Sequence, residues 1–149
     1  MKGAIMTARR ALGSIVILSV LALPLFAGGK GDIQKYFSDA AARAKATSNP
    51  AEKRQILDES FNTMFRALDM AQSLPFISKS DSIGIVRFKA TLKERQDELA
   101  GRNGYVRVAD TQLNAFSNYV VQGMEQADEV ITISLVTLII IVLILLLLL

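Results

Sequence analysis

The stretch 57-LDESFNTMFRALDMA-71 sets Leu57, Phe61, Met64, Phe65, Leu68 and Ala71 at spacings of three and four. On a helix with 3.6 residues per turn these positions fall on one stripe, with the polar residues between them on the other side. The signals just upstream agree. Asn49 is a good N-cap, Pro50 suits the first helical turn, and Glu52 stands where a capping box needs an acid. Leu74-Pro75 closes the segment. An amphipathic helix of this length cannot bury its stripe alone, so the chain must supply others to pack on it.

It does so on both sides. From Asp32 to about Thr47, Ile33, Phe37, Ala40 and Ala44 share a helical face. From about Asp81 to Ala100, Ile85, Phe88, Leu92 and Leu99 do the same, with Arg95 and Gln96 interrupting the stripe. Gly101-Arg102-Asn103-Gly104 is a turn signal. From about Asp110, a fourth segment carries Leu113, Phe116, Val120, Met124 and Ala127. The runs 83-IGIVRF-88 and 105-YVRV-108 are rich in strand-favouring residues and offer a rival β reading. The strong helix formers of Ala90 to Ala100 favour helix there. The fold expected is all-α: an antiparallel bundle of three or four helices over residues 28–129.

Two apolar segments flank this domain. Val130 to Leu149 contains no charge, Gly or Pro and closes on five leucines. As one helix it would cover about 30 Å, the thickness of a hydrocarbon core. With no Pro or turn cluster ahead of it, it is expected to continue the fourth helix into a C-terminal transmembrane helix over 130–149. At the other end, Lys2, Arg9 and Arg10 precede an apolar run from Ala11 to Leu23, followed by Pro24 and a small residue at Ala27. This pattern reads as a signal peptide over residues 1–27, with a retained N-terminal anchor as its alternative. Basic residues before the first segment place the following domain outside the cytoplasm, on the periplasmic or extracellular face.

Composition removes much chemistry. The chain has neither Cys nor His. Disulfides, thiol nucleophiles, Ser-His-Asp triads and zinc or haem sites built on those residues are therefore excluded. Gly28-Gly29-Lys30-Gly31 lacks the strand before it and the Lys-Ser or Lys-Thr after it that a phosphate loop requires. Ser78-Lys79-Ser80 reads as a polar loop. The formal charge of +3 is accounted for by Lys2, Arg9 and Arg10; the rest of the chain carries as many bases as its 14 acids, interspersed. The electrostatic footprint of a nucleic-acid binder is absent. Glu94, Asp97 and Glu98 share a helix side and could face a cation, but Lys93 and Arg95 beside them make a solvated charged face the expected reading. Phe61, Phe65, Phe88 and Phe116 lie on the inner stripes and are expected in the core.

No catalytic, cofactor-binding or metal-ligating residue is therefore assigned, and no cofactor. The expected function is non-enzymatic: a membrane-anchored, exported helical interaction or structural module of the cell envelope, with a protein partner or a second copy as its target. The layout is similar to that of the ligand-binding domain of bacterial chemoreceptors, in which a first hydrophobic segment precedes a helical bundle whose last helix enters the membrane. That likeness of layout implies an alternative, a sensory module signalling through a separate membrane partner. A third reading takes the tail as a removable lipid-anchor signal on a surface protein. Against it, Tyr119 and Val120 make Ser117-Asn118 a poor attachment site.

Overall fold

The computed structural model describes residues 29–126 and 132–149, and the described residues are all helix, turn and irregular chain, with no strand. Among the described residues there are five helices: α1 (Lys30–Ala46), α2 (Pro50–Gln72), α3 (Lys79–Ala100), α4 (Leu113–Gln126) and α5 (Leu135–Leu148). A short 3₁₀ turn, Asp110–Gln112, leads into α4. The all-α bundle is as expected. The signal-peptide reading of residues 1–27 lies outside the described residues.

The helix starts follow from their caps. Asn49 Oδ1 accepts from the Ala51 amide at 3.0 Å. The expected capping box is relayed through Thr47: its Oγ1 accepts from the Asn49 amide at 3.2 Å and donates to Glu52 Oε2 at 2.7 Å. Ser78 Oγ accepts from the Asp81 amide at the start of α3. Gly101, at φ 73°, ends α3, and the Gly101 and Arg102 amides both donate to the Asp97 carbonyl. That left-handed φ itself favours glycine, and a Cβ there would also lie 2.8 Å from Arg107.

The longest helix, α2, lies at the centre and packs against all four others. Its stripe of Leu57, Phe61, Met64, Leu68 and Ala71 is buried throughout, joined by Ala67. The predicted inner residues of α1, α3 and α4 are buried as well: Ile33, Phe37, Ala40 and Ala44; Ile85, Phe88, Leu92 and Leu99; Leu113, Phe116, Val120 and Met124. Ala127 lies outside the described residues. Phe65 is only half-buried, at the edge of the stripe. The strand-like run 83–88 is helical within α3, and 105–109 is irregular chain without strand pairing.

Two lateral contacts set the topology. Gln34 Nε2 donates to Glu125 Oε1 at 3.1 Å, and Lys45 Nζ donates to Asn118 Oδ1 at 2.8 Å, so α4 runs antiparallel to α1. One pole of the bundle therefore gathers the start of α1, the α2–α3 turn and the end of α4. The first residues of α5 join them there, since Asp81 bonds Ser134 and Gly29 lies against Leu135.

The tail departs from expectation. Thr132–Ser134 are not helical, and Ser134, at φ −62° and ψ 153°, caps a new helix. The fourth helix therefore does not run on into α5. α5 has 14 residues, a length of about 21 Å. Among the described residues no helix is long and apolar enough to cross a membrane. The physical reason is local: a polar cap at Ser134, itself held by Asp81, interrupts the helix, and the remainder lies back against α2 and α1.

Candidate interaction surface

The inner face of α5 is built into the core. Leu138, Ile141, Val142 and Leu145 are buried with Thr137, all on one side of the helix. Full burial of each such aliphatic side chain contributes about 1.5–3 kcal/mol. The outer face is different. Leu135, Val136, Ile139, Leu143, Leu146 and Leu147 are exposed along the whole helix, Leu147 at 85%. Their spacing of three and four makes a continuous aliphatic stripe. Neither an aromatic nor a charged residue interrupts it.

The N-terminus of α5 is held by Asp81. Its Oδ1 accepts from the Ser134 amide at 2.8 Å, and its Oδ2 accepts from Ser134 Oγ and Thr137 Oγ1, each at 2.6 Å. Burial opposes the carboxylate's charge, yet the hydroxyls of Ser134, Thr137 and Ser78 and the Ser134 amide hold its pKa below the ordinary aspartate value. Its place at a helix N-terminus adds to this. One turn further along α3, Gly84 opens space for the incoming chain. A Cβ there would lie 2.8 Å from Ile133 Cγ1 and 3.3 Å from the Thr132 carbonyl oxygen. Asp81 and Gly84 thus form one receiving site, a carboxylate clasp beside a gap.

The three carboxylates singled out by sequence do share a side of α3, but each has its own partner. Asp97 accepts from Lys93 Nζ and from Asn103 Nδ2, each at 2.7 Å. Glu98 accepts from Arg95 at 2.6 Å, and Glu94 from the Tyr105 hydroxyl at 2.9 Å. The expected solvated face is corrected in one respect, because Asp97 is buried. The hydrogen bonds from Lys93 and Asn103 hold its pKa low. Its work is to close the α3 C-terminus onto the following turn. Among the described residues no three acids stand as a metal-binding group.

Several polar side chains that carry no signal in the sequence tie the helices together. Lys53 is buried and donates to the Ala44 carbonyl at 3.1 Å and to Asn114 Oδ1 at 2.7 Å, joining α1, α2 and α4. Arg54 spans Leu99, Val108 and Asp110, fastening the 101–110 loop to α2. Gln96 donates to Asp58 and Asn62, so its break in the α3 stripe is a polar link to α2. Arg95 lies over the Tyr119 ring, 4.5 Å from its centroid, where cation–π attraction applies. Burial pushes the Tyr36 phenol up to about 12, and its hydroxyl donates to the Ser60 carbonyl at 2.8 Å. No residue type marks these roles in advance.

The α2–α3 turn adds apolar surface. Phe76 is 66% exposed, and Met70, Ile83 and Val86 are exposed near it in sequence. They belong to the same pole at which α1 and α5 begin. No family model, no curated protein and no solved structure matches this chain.

Proposed function

We propose that this protein is a non-enzymatic helical interaction or structural module, exported and held at a membrane by its apolar C-terminal segment. The observation that carries this reading is the outer face of α5. Six aliphatic side chains lie bare along one helix. An apolar stripe of that kind marks an interaction site on a soluble surface. Its composition favours lipid over protein. Protein interfaces are enriched in Tyr, Trp, Phe, Met and Arg, and the stripe contains only Leu, Ile and Val. The basic residues Lys2, Arg9 and Arg10 ahead of the first apolar segment support a domain outside the cytoplasm. The exposed Phe76 turn, at the pole where both flanking segments join the domain, is a suitable contact for the membrane surface or for a membrane-bound partner.

The test uses residues whose replacement leaves the core intact. Leu143 and Leu147 are exposed, so Leu143→Lys with Leu147→Lys should preserve the melting temperature. A Lys near the centre of a spanning helix costs about 2.5–3.5 kcal/mol, as for Leu143→Lys, and less toward its end, as for Leu147→Lys. The double variant should leave the membrane fraction for the soluble one. Equal membrane retention of wild type and variant would overturn the reading. Protease added to intact spheroplasts should degrade the domain; protection until lysis would reverse the orientation.

A further inference from the structure

We propose that Asp81 and Gly84, with the face of α2 beside them, form a docking site for the chain's own apolar segment, filled away from the membrane and vacated when residues 130–149 insert. This rests on the membrane reading above. The ligand of the site is an uncharged aliphatic helix that begins with a hydroxyl-bearing cap.

Three observations carry the inference. First, the docked segment is helical only over Leu135–Leu148, and about 20 helical residues are needed to span a hydrocarbon core. Val130–Leu149 is uncharged throughout, but insertion as a spanning helix requires 132–134 to become helical. Ser134 must then leave its extended capping conformation, and its bonds to Asp81 must break. Docking and spanning therefore exclude one another.

Second, the site is shaped for this segment. A glycine inside a helix is unfavourable unless something needs the space. At Gly84 that something is the backbone and side chain of Thr132–Ile133. The Asp81 carboxylate is buried, and the donors it receives from the tail are an amide and two hydroxyls. These donors are available only while the tail is docked, and a buried carboxylate left without them would be costly. When the tail leaves, Asp81 is free to hydrate.

Third, docking satisfies only half of α5. The inner side chains are buried while the outer stripe faces water. A bilayer accepts both faces, so contact with lipid supplies a driving force that water does not. The site keeps the segment folded until a membrane is available.

A reversible lock tests this. The chain has no native cysteine, and a Cβ at Gly84 would lie 2.8 Å from Ile133 Cγ1, so Gly84→Cys with Ile133→Cys should form a disulfide when oxidised. The full chain, with an epitope appended after Leu149, is mixed with phosphatidylcholine vesicles, and insertion is read as protection of the epitope from added protease. The reduced form should become protected, and the oxidised form should not. Equal protection of both would overturn the docking site, because the locked tail would have inserted. Absence of protection in the reduced form and in wild type would overturn the membrane reading itself. Failure of the pair to oxidise, together with an unchanged protected fraction in Gly84→Ala, whose Cβ would crowd the Thr132 carbonyl, would show that the tail does not dock at Gly84. Asp81→Ala, which needs no new cysteine, should raise the protected fraction; since hydrogen bonds to a charged group are lost, a shift of about tenfold in the docked-to-inserted ratio is expected. An unchanged ratio would remove Asp81 from the site.

Discussion

Helices α1–α4 and helix α5 solve the same problem in opposite ways. The first four are amphipathic: one stripe enters the core and the remaining faces carry Lys, Arg, Asp, Glu and Gln. Their placement follows from where their apolar residues fall. α5 is aliphatic on every side, so its own sequence does not say which face belongs inside. Its inner face is chosen by what it meets, namely α2 along its length and Asp81 at its start. A helix with one possible face is placed by its pattern. A helix with many is placed by its anchor point, and is correspondingly easier to displace.

The strongest test of this contrast is in the core. Leu68 is completely buried on the central helix, so Leu68→Ala should cost about 2–5 kcal/mol. Gln122, exposed on α4, is the control, and Gln122→Ala should change stability by less than about 0.5 kcal/mol. Lys93, though exposed on α3, is unsuitable as a control because it pairs with the buried Asp97. Equal losses in thermal melts would mean that the α2 stripe is not the core.

The same comparison can be made within α5. Ile141 is fully buried and Leu143 is about half exposed. Ile141→Ala should cost about 2 kcal/mol, at the lower end of the range for buried aliphatics, because the seat is open on its outer side. Leu143→Ala should cost less than about 0.5 kcal/mol in the absence of lipid. Denaturant unfolding of the two variants would give the difference directly, and indistinguishable midpoints would show α5 undocked in solution.

A smaller effect separates local from tertiary control. Asn49→Ala removes the cap of α2 and should cost about 1 kcal/mol. The loss should be the same with and without vesicles, because the hydrogen bonds of this cap stay within residues 47–52. A lipid-dependent loss would couple the far end of the bundle to α5.

The smallest effect is electrostatic. Asp81 and Asp97 both have folded pKa values below the ordinary 3.8. A carboxylate shifted down stabilises the fold above its unfolded value and loses that contribution as pH falls through the folded one. Acidification from about pH 5 towards about pH 2 should therefore lower the melting temperature through these groups. Asp81→Asn should make the decline shallower and, in the presence of vesicles, should favour the inserted tail. A decline identical to wild type would show that the clasp does not depend on the charge of Asp81.

Much of the bundle is legible in the sequence because amphipathic helices carry a repeating apolar signal. The stripes of α1, α2, α3 and α4 appear in the structure nearly residue for residue, and the Asn49-Pro50 start is where the caps place it. Phe65 is half-buried because it lies at the margin of a stripe that Ala67 shares. The polar ties are less legible. Nothing in a list of lysines distinguishes Lys53, which reaches a carbonyl of α1 and an amide of α4, from one in water. Gln96 looks like a flaw in its stripe until Asp58 and Asn62 face it.

The chain alone carries the helical class, the register of four amphipathic helices, the absence of thiol and imidazole chemistry, and the lack of any charge over the last 20 residues. These are properties of composition and period, and they need no partner to be read. Packing, not pattern, sets where residues 132–149 of the uncharged segment lie. Its length matches a bilayer, and its pattern gives no preferred face. The break at Ser134, the clasp at Asp81 and the gap at Gly84 arise from residues about 50 positions apart meeting at one pole of the bundle. Such a meeting leaves no periodic trace in the chain, because a single carboxylate and a single glycine are each common, and only their proximity to the tail gives them a role.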